Sequence, residues 1–191
     1  MILLWTVLIG LAATILRARL NHRTLKLVKL RWEWLVFVSV IPQIFMFQIP
    51  ATAKWFPESI VPVIQVTSMT GLVAFAVINS FAPGFWALGF GLISNFLVIV
   101  RNGGWMPISV ETLVRMDSHH PIDFWVVGSR LGYTKDRIFA PAETNLGWLS
   151  DRFLLPQWLP VNIAFSLGDI FISIGALLLL WSLSRKEMEE K

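Results

Sequence analysis

The sequence predicts an all-α, polytopic membrane helix bundle of five transmembrane helices, with one long extracytoplasmic segment between the fourth and the fifth. Three observations predict it. Of the 191 residues 55% are hydrophobic and only 15% charged, against about 25% charged in a soluble domain, and the mean hydropathy is +0.66. Apolar runs of roughly the length a ~30 Å bilayer core demands recur along the chain, bounded by charge or by Pro and Gly. Basic residues crowd into one loop between two of these runs. The apolar excess and the lack of cysteine exclude disordered and disulfide-stapled classes, and residues 1–191 read as a single integral membrane domain.

The spans are expected at 1–16, 32–49, 60–82, 85–100 and 161–183. The first is an uncleaved anchor, since its positive charge follows the apolar run whereas a signal peptide carries it in front. Arg17, Arg19, Arg23, Lys26, Lys29 and Arg31 come next with no acidic residue before Glu33, which places this loop in the cytoplasm. Its Arg19, Arg23, Lys26 and Lys29 can share one face of a short interfacial helix, with Leu20, Leu27 and Leu30 towards the acyl chains, and clamp an anionic lipid surface. The net charge of +4 therefore points to membrane lipids as partners and not to nucleic acid. Ala82-Pro83-Gly84 stops the third span and lets the fourth return as an antiparallel hairpin.

In the segment 101–160 six basic residues are balanced by six acidic ones, so nothing holds it on the cytoplasmic side. Ser109 can cap a short helix through Arg115, and Pro121, Gly128, Gly132, Pro141 and Gly147 break the remainder into short pieces lying on the membrane or covering the bundle. The tail that follows the fifth span begins with Arg185-Lys186, a second cytoplasmic signal. An odd number of spans then puts the N-terminus outside. Trp5, Trp55, Trp105, Trp148 and Trp158 fall at the outer boundary, and Trp32, Trp34, Trp86 and Trp181 at the inner one, as aromatic belts do.

Polar residues inside apolar runs mark the candidate site. Asn95 lies deep in the fourth span, where an unpaired amide is costly, so it should bond another helix or contact a ligand; Gln43, Gln65 and Asn79 make weaker claims of the same kind. Gly89 and Gly91 would let a backbone approach closely beside it. Asp169 follows Ser166 by three positions, the spacing of a capping box at the start of the fifth helix, or of a carboxylate at the mouth of a polar cavity. Arg101-Asn102-Gly103-Gly104 forms a turn with positive φ, either a plain chain reversal or a nest of amides for an anion with Arg101 beside it. Asn95, Arg101, Asn102, Gly103, Gly104, Ser166 and Asp169 thus make a candidate ligand or partner patch. Asp117, His119, His120 and Asp123 lack the spacing of a convergent metal set, and neither a metal nor another cofactor is expected.

Asn95, Asn102-Gly103-Gly104-x-Met106-Pro107, Thr144-Asn-Leu-x-x-Leu149-x-Asp151 and Ser166-x-Gly168-Asp169 with Gly175, taken together, resemble an uncharacterised family of small multi-pass bacterial membrane proteins. The resemblance implies a bacterial cytoplasmic (inner) membrane and a helical bundle with these motifs on one side, and it brings no activity. Asn145-Leu followed by Asp151-Arg152, Asn162-x-Ala164 and an apolar helix is more loosely similar to the end of lipoprotein signal peptidase, an intramembrane aspartyl protease in which two carboxylates activate water. Phe165 stands where the peptidase has an acidic residue, so Asp151 and Asp169 would have to form a displaced pair.

The function expected is that of a small noncatalytic membrane protein: an accessory or scaffold subunit beside other integral membrane subunits, or a binder of lipid or a small ligand. The alternative is the aspartyl peptidase. Spans without ionisable relay residues argue against a proton pump, and the lack of a visible internal repeat argues against a transporter.

Overall fold

The computed structural model describes residues 2–156, 159 and 161–185, and these are mostly helical. The first helix, α1 (Ile2–Leu20), runs on past its apolar stretch through Arg17 and Arg19 and stops where His22 takes φ +49°. The expected interfacial helix does not form after it. The chain instead makes a two-residue strand, β1 (Thr24–Leu25), antiparallel to β6 (Ser184–Arg185). Lys26 N–H donates to the Leu183 carbonyl at 2.9 Å, so backbone amides that a lone helix would leave frayed at its end are satisfied across the fold. Lys186 and Trp158 lie outside the described residues.

The left-handed Trp32 (φ +57°) precedes α2 (Trp34–Gln43), which holds Pro42 and widens into a π-helical turn over Ile44–Gln48. A proline inside a helix lacks the N–H for the i−4 carbonyl, and a widened turn is one way to absorb that loss. A single helical turn, α3 (Pro50–Ala53), and a tight turn at Glu58–Ile60 lead into α4 (Val61–Ile78), with Pro62 in its first turn, where no amide is needed. Asn79 ends α4. The reversal to α5 (Phe85–Arg101) passes through Gly84 at φ +81°, a conformation only glycine adopts without strain.

The segment after α5 forms short elements that cover one end of the bundle as a cap. A parallel pair, β2 (Met106–Ser109) and β3 (Asp136–Phe139), registers Met106 with Asp136 and Ser109 with Phe139. Between them lies α6 (Val110–Met116), capped by Ser109, whose Oγ accepts the Thr112 N–H at 3.1 Å. The antiparallel pair β4 (Phe153–Leu154) and β5 (Ala164–Phe165) closes the cap. Ile108, Leu113 and Ile138 give it a small core of its own. An all-α chain was expected; the described residues contain these short strands because Pro- and Gly-broken stretches satisfy their amides by pairing with one another.

Beyond the cap comes α7 (Leu167–Ser182). The helix of the fifth apolar run thus starts at the capping box expected at Ser166, and Ala164 and Phe165, inside the apolar run 161–183, are extended. In space the long helices follow the order α1, α7, α5, α4, α2, each packed on the next. Their shared core, which includes Phe75, Phe85, Leu92, Val98, Ile99 and Ile172, lies among α4, α5 and α7. Two helical segments, Leu3–Leu20 and Glu58–Ile78, are long and apolar enough to cross a membrane; Trp34–Gln48, Phe85–Arg101 and Leu167–Ser182 are shorter and equally apolar. One end of the bundle carries the basic loop and β6, and the other carries the cap.

Candidate functional site

Where the cap meets the bundle, polar side chains from three distant stretches converge. Asn95, 7% exposed on α5, donates through Nδ2 to Asp169 Oδ1 at 2.9 Å and accepts from Ser166 Oγ at 2.8 Å. Ser166 and Asp169 form the capping box of α7: Asp169 N–H donates to Ser166 Oγ at 3.0 Å, and Ser166 N–H to Asp169 Oδ2 at 3.1 Å. The serine and the carboxylate satisfy first-turn amides, and the buried asparagine amide finds both partners on the neighbouring helix.

Above this triad sits an ionic cluster. Asp151 is 2% exposed and is held by its backbone, whose N–H donates to the Pro107 carbonyl at 3.2 Å while Arg152 N–H reaches the Phe165 carbonyl at 3.3 Å. Lys135 immediately precedes β3, with its carbonyl bonded to Met106 N–H. Its Nζ lies 2.5 Å from Asp151 Oδ2 and 2.8 Å from Asp136 Oδ1. Burial works against the Lys135 charge, but Asp136, Asp151 and Asp169 outweigh it and raise its pKa. For Asp151 burial dominates and pushes the carboxyl well above its ordinary value, with Asp136 and Asp169 adding to the effect and Lys135 opposing it. Its Oδ1 is buried with no hydrogen-bond partner. One ammonium among three carboxylates leaves the cluster short of positive charge, and the most buried carboxyl, Asp151, is the one whose charged form burial disfavours most.

Asp169 is felt electrostatically by both Lys135 and Asp151 and so ties the triad to the cluster. No hydrogen bond joins Asp151 to Asp169 among the described residues; Lys135 is the group that Asp151 meets.

The turn after α5 has its own architecture. Gly104 N–H donates to the Ile99 carbonyl at 2.8 Å and Gly103 N–H to the Val100 carbonyl at 3.4 Å, a paired closure of the α5 C-terminus made possible by positive φ at Gly103 (67°) and Gly104 (87°). These amides end a helix and are not turned outward as an anion nest. A Cβ on Gly104 would collide with Pro62. Asn102 is buried and staples the turn to the cap: Nδ2 donates to the Val98 and Asn145 carbonyls at 2.7 and 2.8 Å, and Oδ1 accepts the Asn145 N–H at 2.9 Å. Arg101 is exposed and offers its carbonyl to Asn145 Nδ2 at 3.2 Å.

The seven residues singled out in the sequence thus fall into two groups at the cap end. Asn95, Ser166 and Asp169 touch one another, whereas Arg101, Asn102, Gly103 and Gly104 belong to the turn stapled by Asn145. Lys135 and Asp136 went unrecognised in the sequence, because their partner is brought in by a strand pairing that no local pattern reveals. Asn79 clamps the other end, bonding the Arg31 N–H at 2.7 Å and the Arg31 carbonyl at 2.9 Å. Gln43 Nε2 and Gln65 Oε1 are buried without partners. Trp105 is 4% exposed and packs with Met46 and Val61, so it is a core residue of the cap and not part of a belt.

Among the described residues no group of three or more His, Asp or Glu is placed to hold a metal. Asp117 accepts from His120 Nδ1 (2.9 Å) and the His119 N–H (3.1 Å), and the His120 bond first, then the His119 amide, holds its carboxyl below the usual range. A cleft of about 620 Å³ opens beside the cluster, with Arg115, Ser150 and Arg152 on its walls.

Residues 27–181 match a family described as a family of unknown function, DUF5317. Neither a curated protein nor a solved structure matches the chain.

Proposed function

The chain belongs to the DUF5317 family of unknown function, and from its own residues we propose that it is a noncatalytic five-span membrane protein whose cap end binds lipid or docks another integral membrane subunit. The carrying observation is the distribution of large apolar side chains. Leu4, Ile9, Phe37, Val38, Val63, Val77, Trp86 and Phe90 are all more than half exposed and spread over α1, α2, α4 and α5. Water would not tolerate such a girdle on a monomer, whereas lipid requires it.

The three shorter helices support spanning less directly. Sixteen residues of α7 cover ~24 Å, and extended residues at its cap end can make up the remainder of a ~30 Å core. The pairing of β1 with β6 gathers the basic loop and the end of α7 at one end of the bundle, and Arg17 lies over the Trp181 ring at 4.0 Å. Shared positive charge at one end supports a cytoplasmic assignment for it, and hence an outer cap.

The chain has no cysteine, so single cysteines can be placed on a clean background. Val126→Cys in the cap should react with an impermeant maleimide on intact cells, and Lys29→Cys only after permeabilisation. The reverse pattern overturns the orientation, and release of the protein by alkaline carbonate overturns the spanning. Purification in mild detergent with a stoichiometric partner would select the subunit role.

One feature favours the peptidase as a second reading: burial raises the Asp151 pKa, and the Asp169 carboxylate lies near enough to add to that rise, as in a pair of carboxyls that activates water. Lys135 paired to Asp151 weighs against it. Cleavage of a single-span precursor that is abolished by both Asp151→Asn and Asp169→Asn, in folded protein, would establish the enzyme.

A further inference from the structure

The cleft beside the ionic cluster is walled by two guanidinium groups that nothing in the fold consumes. Arg115 closes the last turn of α6 and has no ion pair or hydrogen bond among the described residues. Arg152 has only a loose cation–π contact, 6.0 Å from the Phe153 ring. Glu111 is the single carboxylate on the same walls, so the cleft is net positive. Arginine's planar set of donors matches phosphate oxygens two at a time.

A second cleft, of about 340 Å³, adjoins the first and shares Arg115 and Leu154 with it. Its other walls include Val114, Met116, Leu155 and Ile163. Phe153 and Phe165 stack at 5.8 Å on the β4–β5 pair, directly before α7 enters the apolar body. A positive chamber joined through Arg115 to one that sets Val114, Met116, Leu155 and Ile163 beside Ser118 and Asn162, at the end of a lipid-exposed bundle, fits a ligand with an anionic head and an apolar tail.

We propose that Arg115 and Arg152 bind the phosphodiester of an anionic phospholipid, with its acyl region laid past Leu154 into the adjoining cleft. This rests on the membrane reading above and names the ligand class of its cap end. Inorganic phosphate shares the head chemistry without the tail, so it is the control that distinguishes a lipid site from a simple anion site.

The test uses the full chain purified in a neutral detergent, titrated with fluorescent phosphatidylglycerol. Unlabelled phosphatidylglycerol, phosphatidylcholine and inorganic phosphate are the competitors. Phosphatidylglycerol should compete at least about tenfold better than either of the others, and the R115Q/R152Q double variant should weaken its binding by about tenfold or more, the equivalent of roughly 1.4 kcal/mol. Lys54→Gln, the loss of one exposed charge outside both clefts, should not weaken it. Equal competition by phosphatidylcholine, equal competition by phosphate, or unchanged affinity in a folded R115Q/R152Q protein each overturns the proposal. The wild-type competition needs no variant to fold. Carbonate extraction reads the membrane assignment separately, so a protein that stays in the membrane yet ignores these substitutions refutes the lipid site alone.

Discussion

Asn95 on α5 and Asp169 on α7 meet at 2.9 Å across 74 positions of sequence, and the Asn95 carbonyl oxygen also receives the Ser166 hydroxyl. This contact locks the most extensive helix pairing in the bundle at its cap end. Replacing Asn95 by Ala leaves a half-buried carboxylate short of a donor and a buried hydroxyl short of an acceptor. Hydrogen bonds to charged groups are worth ~1.5–3 kcal/mol, so Asn95→Ala should destabilise by about 2 kcal/mol. Asn95→Asp, which sets carboxylate against carboxylate, should destabilise more. Thermal unfolding in detergent reads both; a shift smaller for Asp than for Ala would contradict this account.

Gly84 and Gly91 on one side of the same crossing face Gly175 and Gly168 on the other. A Cβ on Gly175 would stand 2.5 Å from the Leu88 amide nitrogen, and one on Gly91 would stand 2.7 Å from the Ile172 nitrogen and closer still to the Gly168 carbonyl. These obstacles are backbone and cannot rotate away. Gly91→Ala and Gly175→Ala should therefore each destabilise by at least ~1–3 kcal/mol. Gly89 is the control: its Cβ would touch Ala76 Cβ at an ordinary 3.6 Å, and Gly89→Ala should be neutral or stabilise by up to ~1 kcal/mol through helix propensity. Comparable losses at Gly89 and Gly91 would show that the contact is not the cause.

That contrast also measures what the sequence could convey. Asn95, the Ser166–Asp169 box, the Ser109 cap and the positive-φ glycines were readable because each signal is local: a polar residue in an apolar run, a three-residue spacing, an Asn-Gly pair. Gly89 and Gly91 looked equivalent, since nothing along α5 says which face meets another backbone. The glycine pairs become a pattern only when α5 and α7 are laid antiparallel. The same holds for Lys135, whose place beside Asp151 depends on β2 pairing with β3 in parallel across the whole of α6. The start of α7 was legible in the Ser166–Asp169 spacing and not in hydropathy, which does not distinguish extended apolar residues, such as Ala164 and Phe165, from helical ones.

Lys135 is the only ammonium or guanidinium bonded to Asp136 and Asp151 among the described residues. Removing it as Lys135→Met strands carboxylates in a buried site. Breaking a buried pair costs roughly 3–5 kcal/mol; the Lys135 side chain is 35% exposed and water screens part of the loss, so about 3 kcal/mol is the upper expectation. Adding Asp151→Asn should recover part of it, because the most buried of the stranded carboxyls is gone. A double variant as unstable as the sum of the two single changes would mean that the residues do not act together.

The raised pKa of Asp151 gives the cluster a pH signature of unusual sign. For a carboxyl whose folded pKa is raised, the folded state binds the proton more tightly than the unfolded chain. Its stabilising contribution is therefore complete below the ordinary aspartate value of ~3.9 and is lost as pH rises through the raised value. Asp117 has the opposite sign, since its pKa is lowered and its contribution disappears as pH falls; it is close to solvent and common to both proteins compared here. The Lys135 pKa is also raised, so its contribution stays complete below ~10.4 and is constant between pH 4 and 8. Across that window the unfolding midpoint of the wild type should fall relative to that of Asp151→Asn, in which an amide stands for the protonated acid at every pH. Parallel midpoint curves for the two proteins would show that Asp151 is ionised throughout and that the cluster carries its negative charge unrelieved.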